Sequence, residues 1–273
     1  MLKLFQFNLR LIVLCSSLLS GPSMAQNLAL YCEEDRPLQF YGTDGKLTGF
    51  TIEIVQEIQK RVGNKDRIQV VPWARGLDKI NNNPNTLLFS MARTAERENA
   101  YQWIGPIMSN IYGLYAKADS NLHINSIEEA KQLGLIGVYR NDIRDQTLTR
   151  LGFTNLDRAS SNISSFKKLM MGRISAYTDS KLGVESLAIA SGYQATDVKL
   201  IFELFKSELY IAASKNTDKH IVDQWNMALE QMKLDKTFTK IEQKYRRQIS
   251  PTTPATPNAP NSAAPLHPNQ STK

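Results

Sequence analysis

Two arginines, Arg93 and Arg97, follow an apolar stretch at 86–91 and are well suited to binding an anion. They lie four residues apart, so a turn leading into a helix would place both on one face. A guanidinium presents a planar fork of N–H groups that matches a carboxylate, and each charge-assisted bond contributes about 1.5–3 kcal/mol net. Ser90 and Thr94 can add hydroxyl contacts. The alternative for each arginine is a surface ion pair with a neighbouring glutamate, which suits Arg93 better than Arg97.

A tryptophan and a third arginine are predicted near the same place. Trp73 follows a predicted strand at 68–71 and Pro72, so we interpret it as part of a loop at the strand end. Its ring can form a wall over a ligand, or it can pack between this loop and the next helix. Arg75, on the same loop, can contact the ligand or remain at the surface.

A second polar loop is predicted in the later half of the chain. Arg140 and Asn141 join an apolar strand at 135–139 to a helix. The first N–H groups of that helix are free to bind an anion. Asp142 can instead occupy this helix end itself, which is the simpler role for a carboxylate there.

Apolar β-type runs alternate with helical patterns along the chain, which predicts an α/β architecture. The pattern is interrupted by an extended segment at 112–116, starts again with a capping box at Ser126 and Glu129, and meets a second extended segment at 209–213. We interpret the two extended segments as hinge crossings between two lobes. Lobe 1 is expected to comprise 26–113 and 213–248, and lobe 2 to comprise 114–212.

The two ends of the chain differ from the rest. Residues 1–25 combine two cations, an apolar run at 11–19 and small residues up to Ala25, which is typical of a secretory signal peptide cut after Ala25. The apolar run is shorter than the roughly 20 residues that a membrane-spanning helix needs. The stretch 249–273 is rich in proline and has no apolar periodicity, so it is expected to be a disordered tail.

Composition excludes several classes of function. The net charge of +7 is spread along the chain without a basic run carrying interleaved aromatics, so nucleic acid is not an expected partner. The three histidines are scattered, and neither a Ser/His/Asp order nor a metal-ligand spacing occurs. We therefore expect no metal, no cofactor and no enzymatic activity. Cys32, the only cysteine left after signal cleavage, is expected to pack as a small apolar residue.

Three motifs occur in an order that resembles the family 3 extracellular solute-binding proteins, the periplasmic receptors for polar amino acids and similar small ligands. They are the glycine turn at 45–50, the Pro-Trp-Ala-Arg segment at 72–75 and the paired-arginine segment at 92–97. The resemblance extends over about 27–247. It implies a two-lobed type II periplasmic-binding fold that closes on its ligand about two hinge crossings.

The resemblance also implies roles for individual residues. Arg97 matches the family arginine that grips the α-carboxylate of the ligand, and the loop at 140–141 would contact that carboxylate from the other lobe. Asp179 lies at or one position from the acidic residue that pairs with the ligand ammonium, with Ser180 as the alternative. Residues 33–35 lie where the family places ligand-facing residues, or they form a solvated acidic turn.

Two motifs depart from the family pattern. The usual Gly-x-x-Asp turn before the arginine segment is replaced by Asn-Asn-Pro-Asn-Thr at 82–86, and the usual Gly-Arg-Ile-Asp reads Gly-Arg-Ile-Ser at 172–175. The identity of the ligand therefore does not transfer from the family.

These observations lead to one leading hypothesis and two alternatives. The leading one is a monomeric periplasmic solute-binding protein that captures a small polar, amino acid-like ligand for an ABC-type permease. The first alternative is a ligand sensor that presents its bound state to a membrane receptor. The second is a periplasmic dehydratase on the same fold, which would need an acid or base in the cleft, such as Asp179.

Overall fold

The computed structural model of the protein describes residues 27–249, without the side chains of 247–249. The predicted signal peptide at 1–25 and the proline-rich stretch from 250 onward lie outside the described residues. Residue 249, predicted as the first of the tail, is instead the last residue of the final helix. None of the helices in the described part of the chain has the length and apolarity that crossing a bilayer requires.

The described strands form one mixed eight-stranded sheet and one two-stranded hairpin. The order in the large sheet is β4-β1-β5-β10-β6-β9-β7-β8, and β2 pairs with β3. The strands are β1 (Ala29–Cys32), β2 (Phe40–Tyr41), β3 (Leu47–Thr48), β4 (Ile68–Val70), β5 (Thr86–Ala92), β6 (Tyr101–Lys117), β7 (Ile136–Tyr139), β8 (Leu156–Ala159), β9 (Ala176–Ser180) and β10 (Val198–Ser214).

Helices connect most of these strands and cover the sheet. They are α1 (Phe50–Val62), α2 (Trp73–Asn82), α3 (Ile127–Lys131), α4 (Ile143–Arg150), α5 (Asn162–Met170), α6 (Lys181–Ala190), α7 (Lys219–Leu234) and α8 (Thr237–Ile249), with a 3₁₀ turn at Ala195–Asp197. The predicted cap of α3 is present, because Ser126 Oγ accepts a hydrogen bond from the Glu129 N–H at 3.1 Å. The Glu129 carboxylate accepts from the N–H of Asn125, one residue before the cap.

The glycine turn at 45–50 fixes the start of α1. Gly45 has φ +73° and closes the β2–β3 hairpin, which favours glycine. At Gly49 a β-carbon would lie only 2.3 Å from the Leu38 carbonyl oxygen, so only glycine allows the helix to begin so close to that backbone. The apolar face of α1 is then buried, and the helix ends at Gly63 in the left-handed conformation.

Two long strands, β6 and β10, connect the two halves of the sheet. They pair antiparallel along nearly their whole length, from Val198 opposite Lys117 to Ser214 opposite Tyr101. The segments predicted as crossings, 112–116 and 209–213, lie within these strands. The two chain crossings therefore form one continuous ribbon, and the predicted two-lobed α/β architecture is present.

Separate hydrophobic cores define the two lobes. One core surrounds α1 and α7, with Trp225 and Phe50 among its largest buried side chains. Two smaller clusters fill the second lobe on either side of its sheet. Leu209 and Ile211 pack in the first core. The chain therefore returns from the second lobe to the first before residue 212, the predicted end of lobe 2. The boundaries 113 and 212 remain predictions.

Candidate functional site

The carboxyl ends of the parallel strands of both lobes meet at one cleft. The segments after β1, β4 and β5 belong to the first lobe, and those after β7 and β8 belong to the second. Ligands of open α/β sheets bind at such strand ends. Side-chain contacts that cross the cleft include Asn162 to Asp35, Tyr139 to Glu33, Trp73 to the Asn141 carbonyl, Arg97 to Gln146, and Arg150 to Glu96.

Arg97 is a buried cation whose hydrogen-bond partners are neutral. Its side chain donates to the Ala92 carbonyl oxygen at 3.2 Å and to Gln146 Oε1 at 3.1 Å, and the residue is 9% exposed. In the described part of the chain, no carboxylate lies within ion-pair distance of it. Burial lowers the pKa of this guanidinium, so an anion placed here would regain electrostatic energy.

Trp73 lies beside Arg97, but it is helical. The loop interpretation was wrong on this point: Pro72 precedes the first turn, and Trp73 is the first residue of α2. Proline is well accommodated at a helix start, which explains the difference. The indole Nε1 donates to the Asn141 carbonyl oxygen at 3.3 Å, and the Arg97 guanidinium lies 5.8 Å from the ring centre.

The other first-lobe candidates are not gathered around Arg97. Arg93 forms a two-bond ion pair with Glu98 at 2.6 and 2.7 Å and lies over the rings of Trp103 and Tyr210, which is the surface alternative considered above. Arg75 is exposed on α2. Their ligand-binding role stays a prediction.

The two hydroxyl candidates lie in different surroundings. Ser90, with φ +58°, donates to Gln39 Oε1 and shares a hydrogen bond with Thr51, so it ties β5 to the start of α1. Thr94 accepts a backbone hydrogen bond from Arg97 at its carbonyl and therefore shapes the arginine segment.

The second-lobe loop combines a backbone contact with an exposed cation. Asn141 has φ +62°, and its N–H donates to Asp145 Oδ2 at 2.9 Å. Its carbonyl faces Trp73. Arg140 is exposed and donates to the Arg158 carbonyl at 3.3 Å. Asp142 caps α4, accepting from the N–H groups of the two residues at 144 and 145, so this helix end is already occupied by a carboxylate.

Asp179 is engaged by a residue that sequence reasoning missed. Arg144, on α4, ion-pairs with Asp142 and lies 3.2 Å from Asp179 Oδ1. It also donates to Asn162 Oδ1 at 3.0 Å. Arg144 and Asp179 are each 5% exposed. Burial opposes ionisation of Arg144, but the two carboxylates hold its pKa above the ordinary value. A basic residue at the second position of a helix gave no sequence signal for such burial.

Two cavities flank the contact between Trp73 and Asn141. The basic cavity contains Arg97 and has a volume of 640 Å³; it is lined by Glu96, Arg97, Asn141, Asp145, Gln146, Thr149, Arg150 and Arg158. The acidic cavity has a volume of 330 Å³; it is lined by Glu33, Glu34, Asp35, Arg36, Val70, Val71, Pro72, Tyr139, Ser160, Ser161, Asn162, Ile163 and Leu187. Each volume is of the order of known small-molecule sites.

The acidic cavity holds carboxyl groups that resist ionisation. Burial, together with the nearby charge of Asp179, raises the pKa of Asp35 to about 7. Burial and the charge of Asp35 raise the pKa of Glu33 in the same way. The only hydrogen bond of the Asp35 carboxylate in the described residues comes from Asn162, at 3.2 Å. The acidic turn at 33–35 therefore faces the cleft.

The raised pKa of Asp35 predicts a pH-dependent stability. The folded state binds the Asp35 proton more tightly than the unfolded state does, where the pKa is about 3.9. The favourable contribution is complete below about pH 4 and is lost as the pH rises through about 7. We expect the free energy of unfolding in urea to fall between pH 5 and pH 8 more in the wild type than in Asp35→Asn. Parallel pH profiles would contradict the burial of this charge.

A glycine in α6 allows Asp179 to lie close to the helix. A β-carbon on Gly183 would be 2.4 Å from Asp179 Oδ1. We expect Gly183→Ala to lower the free energy of unfolding by about 1–3 kcal/mol through crowding, partly offset by higher helix propensity. Combining it with Asp179→Ala should remove most of that loss in a double-mutant cycle, because the crowded carboxylate is gone. Additive losses would place the strain elsewhere.

The two histidines in the described residues do not belong to either cavity. His123 and His220 are both exposed. The third, His267, lies outside the described residues. The polar side chains that line the two cavities are thus carboxyls, guanidiniums, amides and hydroxyls.

The sequence matches the model of the bacterial extracellular solute-binding proteins, family 3, over residues 29–248. The chain therefore belongs to this family, as its three motifs predicted, and it acts outside the cytoplasmic membrane, in the periplasm or the extracellular space. It is a solute-binding protein, and the cleft between its lobes is the place where such a solute would bind.

Individual relatives agree with this classification. The L-cystine-binding protein TcyA of Bacillus subtilis (strain 168) is 24% identical over 210 residues, which cover 77% of this chain and 76% of TcyA. An ancestral arginine-binding protein bound to arginine is similar in structure, with a TM-score of 0.72 and 23% identity over 80% of this chain and 97% of that one. A histidine kinase sensor domain with similarity to periplasmic binding proteins has a TM-score of 0.74 at 13% identity, over 81% and 96%. These structures confirm the two-lobed periplasmic-binding fold.

Proposed function

We propose that the protein captures a zwitterionic, amino acid-like ligand between its lobes and delivers it to an ABC-type permease. The observation that carries the proposal is Arg97, a buried guanidinium whose partners in the described residues are all neutral. A carboxylate supplies the missing charge and matches the planar fork. The name of TcyA supports an amino acid as the ligand class.

The surroundings of Arg97 support a ligand with charges of both signs. Trp73 offers an aromatic surface beside Arg97, and Pro72 next to it lines the acidic cavity. Tyr139 lines the same cavity, two residues before Asn141. A ligand that carries a carboxylate and an ammonium can bridge the basic and acidic cavities, replacing the contact between Trp73 and Asn141. The carboxylate of such a ligand would face the basic cavity, and its ammonium group would face the acidic cavity.

A thermal-shift screen tests the proposal. Purified protein is heated with L-cystine, the other amino acids, polyamines, small dicarboxylates and prephenate. A ligand at about 100 times its dissociation constant adds roughly 2.7 kcal/mol, which moves the midpoint by several degrees for a chain of this size. We expect a selective shift with one or a few amino acids. A shift with polyamines alone, or with no amino acid at all, would contradict a zwitterionic ligand.

The output of binding has two forms. Uptake requires a permease, and sensing requires a membrane receptor. Uptake of the radiolabelled screening hit by cells lacking the gene separates them, because loss of uptake favours transport. Binding by itself needs no chemistry, so we propose that the protein is not an enzyme. Turnover of prephenate or arogenate by the purified protein would restore the dehydratase alternative.

The proposal also includes the cellular location of the protein, the cleavage of its signal peptide and its oligomeric state. Export by the signal at 1–25 places the protein in the periplasm, with a mature N-terminus following Ala25. Cell fractionation with N-terminal sequencing checks both statements. A monomer is the expected state, which light scattering measures directly.

A further inference from the structure

The carboxylate of Asp179 has little capacity left for a ligand. Its Oδ1 accepts from the Ser180 N–H at 2.7 Å and lies 3.2 Å from Arg144 Nη1. Its Oδ2 accepts from the Tyr177 hydroxyl at 2.9 Å. The cavity that borders both Asp179 and Arg144 has a volume of about 20 Å³, which is roughly the space for one water molecule. An ammonium group with its organic substituent does not fit there.

The guanidinium of Arg144 makes the contacts that an ammonium ligand would make at this position. It gives Asp179 and Asp142 a counter-charge, and it donates to the Thr178 carbonyl and to Asn162. Arg144 differs from Arg97 in this respect, because its charge is balanced from within the protein. The second lobe thus presents a carboxylate that is already neutralised.

The first lobe offers the opposite situation. Glu33 and Asp35 line the 330 Å³ acidic cavity together with Arg36, and Asp35 also borders the 20 Å³ cavity beside Arg144 and Asp179. Glu33 accepts a hydrogen bond from the Tyr139 side chain. In the described residues, however, neither carboxyl group lies within ion-pair distance of a lysine, arginine or histidine. Val70, Val71 and Tyr139 give the same cavity an apolar wall. Both carboxyl groups resist ionisation because no cation is paired with them, and an ammonium group attached to a carbon skeleton would supply that charge beside the apolar wall.

We propose that Arg144 determines ligand specificity by filling the ammonium position beside Asp179, which directs the ammonium group of the ligand to Glu33 and Asp35 in the acidic cavity of the first lobe. The second half of this inference rests on the proposed function, since it assumes a zwitterionic ligand. The first half concerns the protein alone and holds for any ligand. Both halves have separate tests.

The first test needs no ligand. Arg144→Ala leaves a space between two carboxylates that matches the guanidinium it lost. We expect millimolar methylguanidinium to restore several degrees of the lost thermal midpoint of Arg144→Ala. The wild type and Arg140→Ala, the control at an exposed arginine four residues earlier, on the loop before α4, should not respond. No recovery in Arg144→Ala would overturn the assignment of a cation position.

The second test keeps Arg144 and uses L-cystine, or the amino acid that gives the largest thermal shift. Calorimetry compares Asp35→Asn with Asp179→Asn, both isosteric, so this arm also serves if Arg144→Ala does not fold. We expect the dissociation constant of Asp35→Asn to be at least about ten times that of Asp179→Asn. The reverse order would overturn the inference. If no amino acid binds the wild type while methylguanidinium restores Arg144→Ala, the proposed function, the specificity role and the ammonium assignment fail, and only the placement of Arg144 in a cation position beside Asp179 stands.

Discussion

Replacement of Arg97 by alanine is expected to abolish most of the ligand affinity while leaving the protein folded. Truncating one partner of a buried, hydrogen-bonded charge pair costs about 2–5 kcal/mol, which is roughly 30-fold or more in the dissociation constant. The free protein should lose little stability, because the hydrogen-bond partners of Arg97 among the described residues are neutral and its burial is unfavourable. Calorimetry with the screening hit and urea unfolding measure the two quantities.

The matched control is Arg93→Ala. Arg93 lies four residues earlier but is paired with Glu98 at the surface, so its removal should change the affinity by less than about threefold. Arg97→Lys separates charge from geometry, since a lysine retains the charge without the planar fork. An affinity unchanged in Arg97→Ala and reduced in Arg93→Ala would move the carboxylate position to Arg93.

Replacement of Arg144 by alanine is expected to cause the largest loss of stability. Removing one partner of a buried ion pair costs about 3–5 kcal/mol, because the remaining charges stay buried. Asp142 and Asp179 would both lose their counter-charge. Such a loss lowers the thermal midpoint by roughly 10 °C for a chain of this size, and a native protein with about 5–15 kcal/mol in reserve can still fold.

A double variant distinguishes charge from packing. If uncompensated carboxylates cause the loss, Arg144→Ala combined with Asp179→Asn should be more stable than Arg144→Ala alone. Arg140→Ala, at an exposed position on the loop before α4, should remain within about 0.5 kcal/mol of the wild type. If Arg144→Ala lowers the free energy of unfolding no more than Arg140→Ala does, the guanidinium of Arg144 is not a buried group that balances the two carboxylates.

Local patterns in the sequence predicted the fold well. The alternation of strands and helices and the Ser126 cap depend on residues close together in the chain. The long strands β6 and β10 were predicted as short segments, because their apolar patterns are interrupted. Their length depends on pairing between positions about a hundred residues apart, which a single sequence does not reveal.

The site was only partly predictable. Arg97 follows directly from a motif at the end of a strand. The burial of Arg144 depends instead on where Asp179 and Asn162 are placed by β9 and α5, far along the chain. The acidic turn at 33–35 looked equally compatible with solvent, because the partial burial of Glu33 and Asp35 depends on the opposite lobe. Residues whose partners are distant in sequence are those that the motifs missed.

The central claim is that the cleft holds a zwitterion, with its carboxylate at Arg97 and its ammonium at the acidic cavity. Calorimetry of the wild type with three matched compounds tests it most directly: the amino acid that gives the largest thermal shift, its analogue without the α-amino group and its carboxamide. We expect measurable binding of the amino acid and at least about tenfold weaker binding of each analogue. Equal affinity for the analogue without the amino group would contradict the ammonium site, and equal affinity for the carboxamide would contradict the role of Arg97.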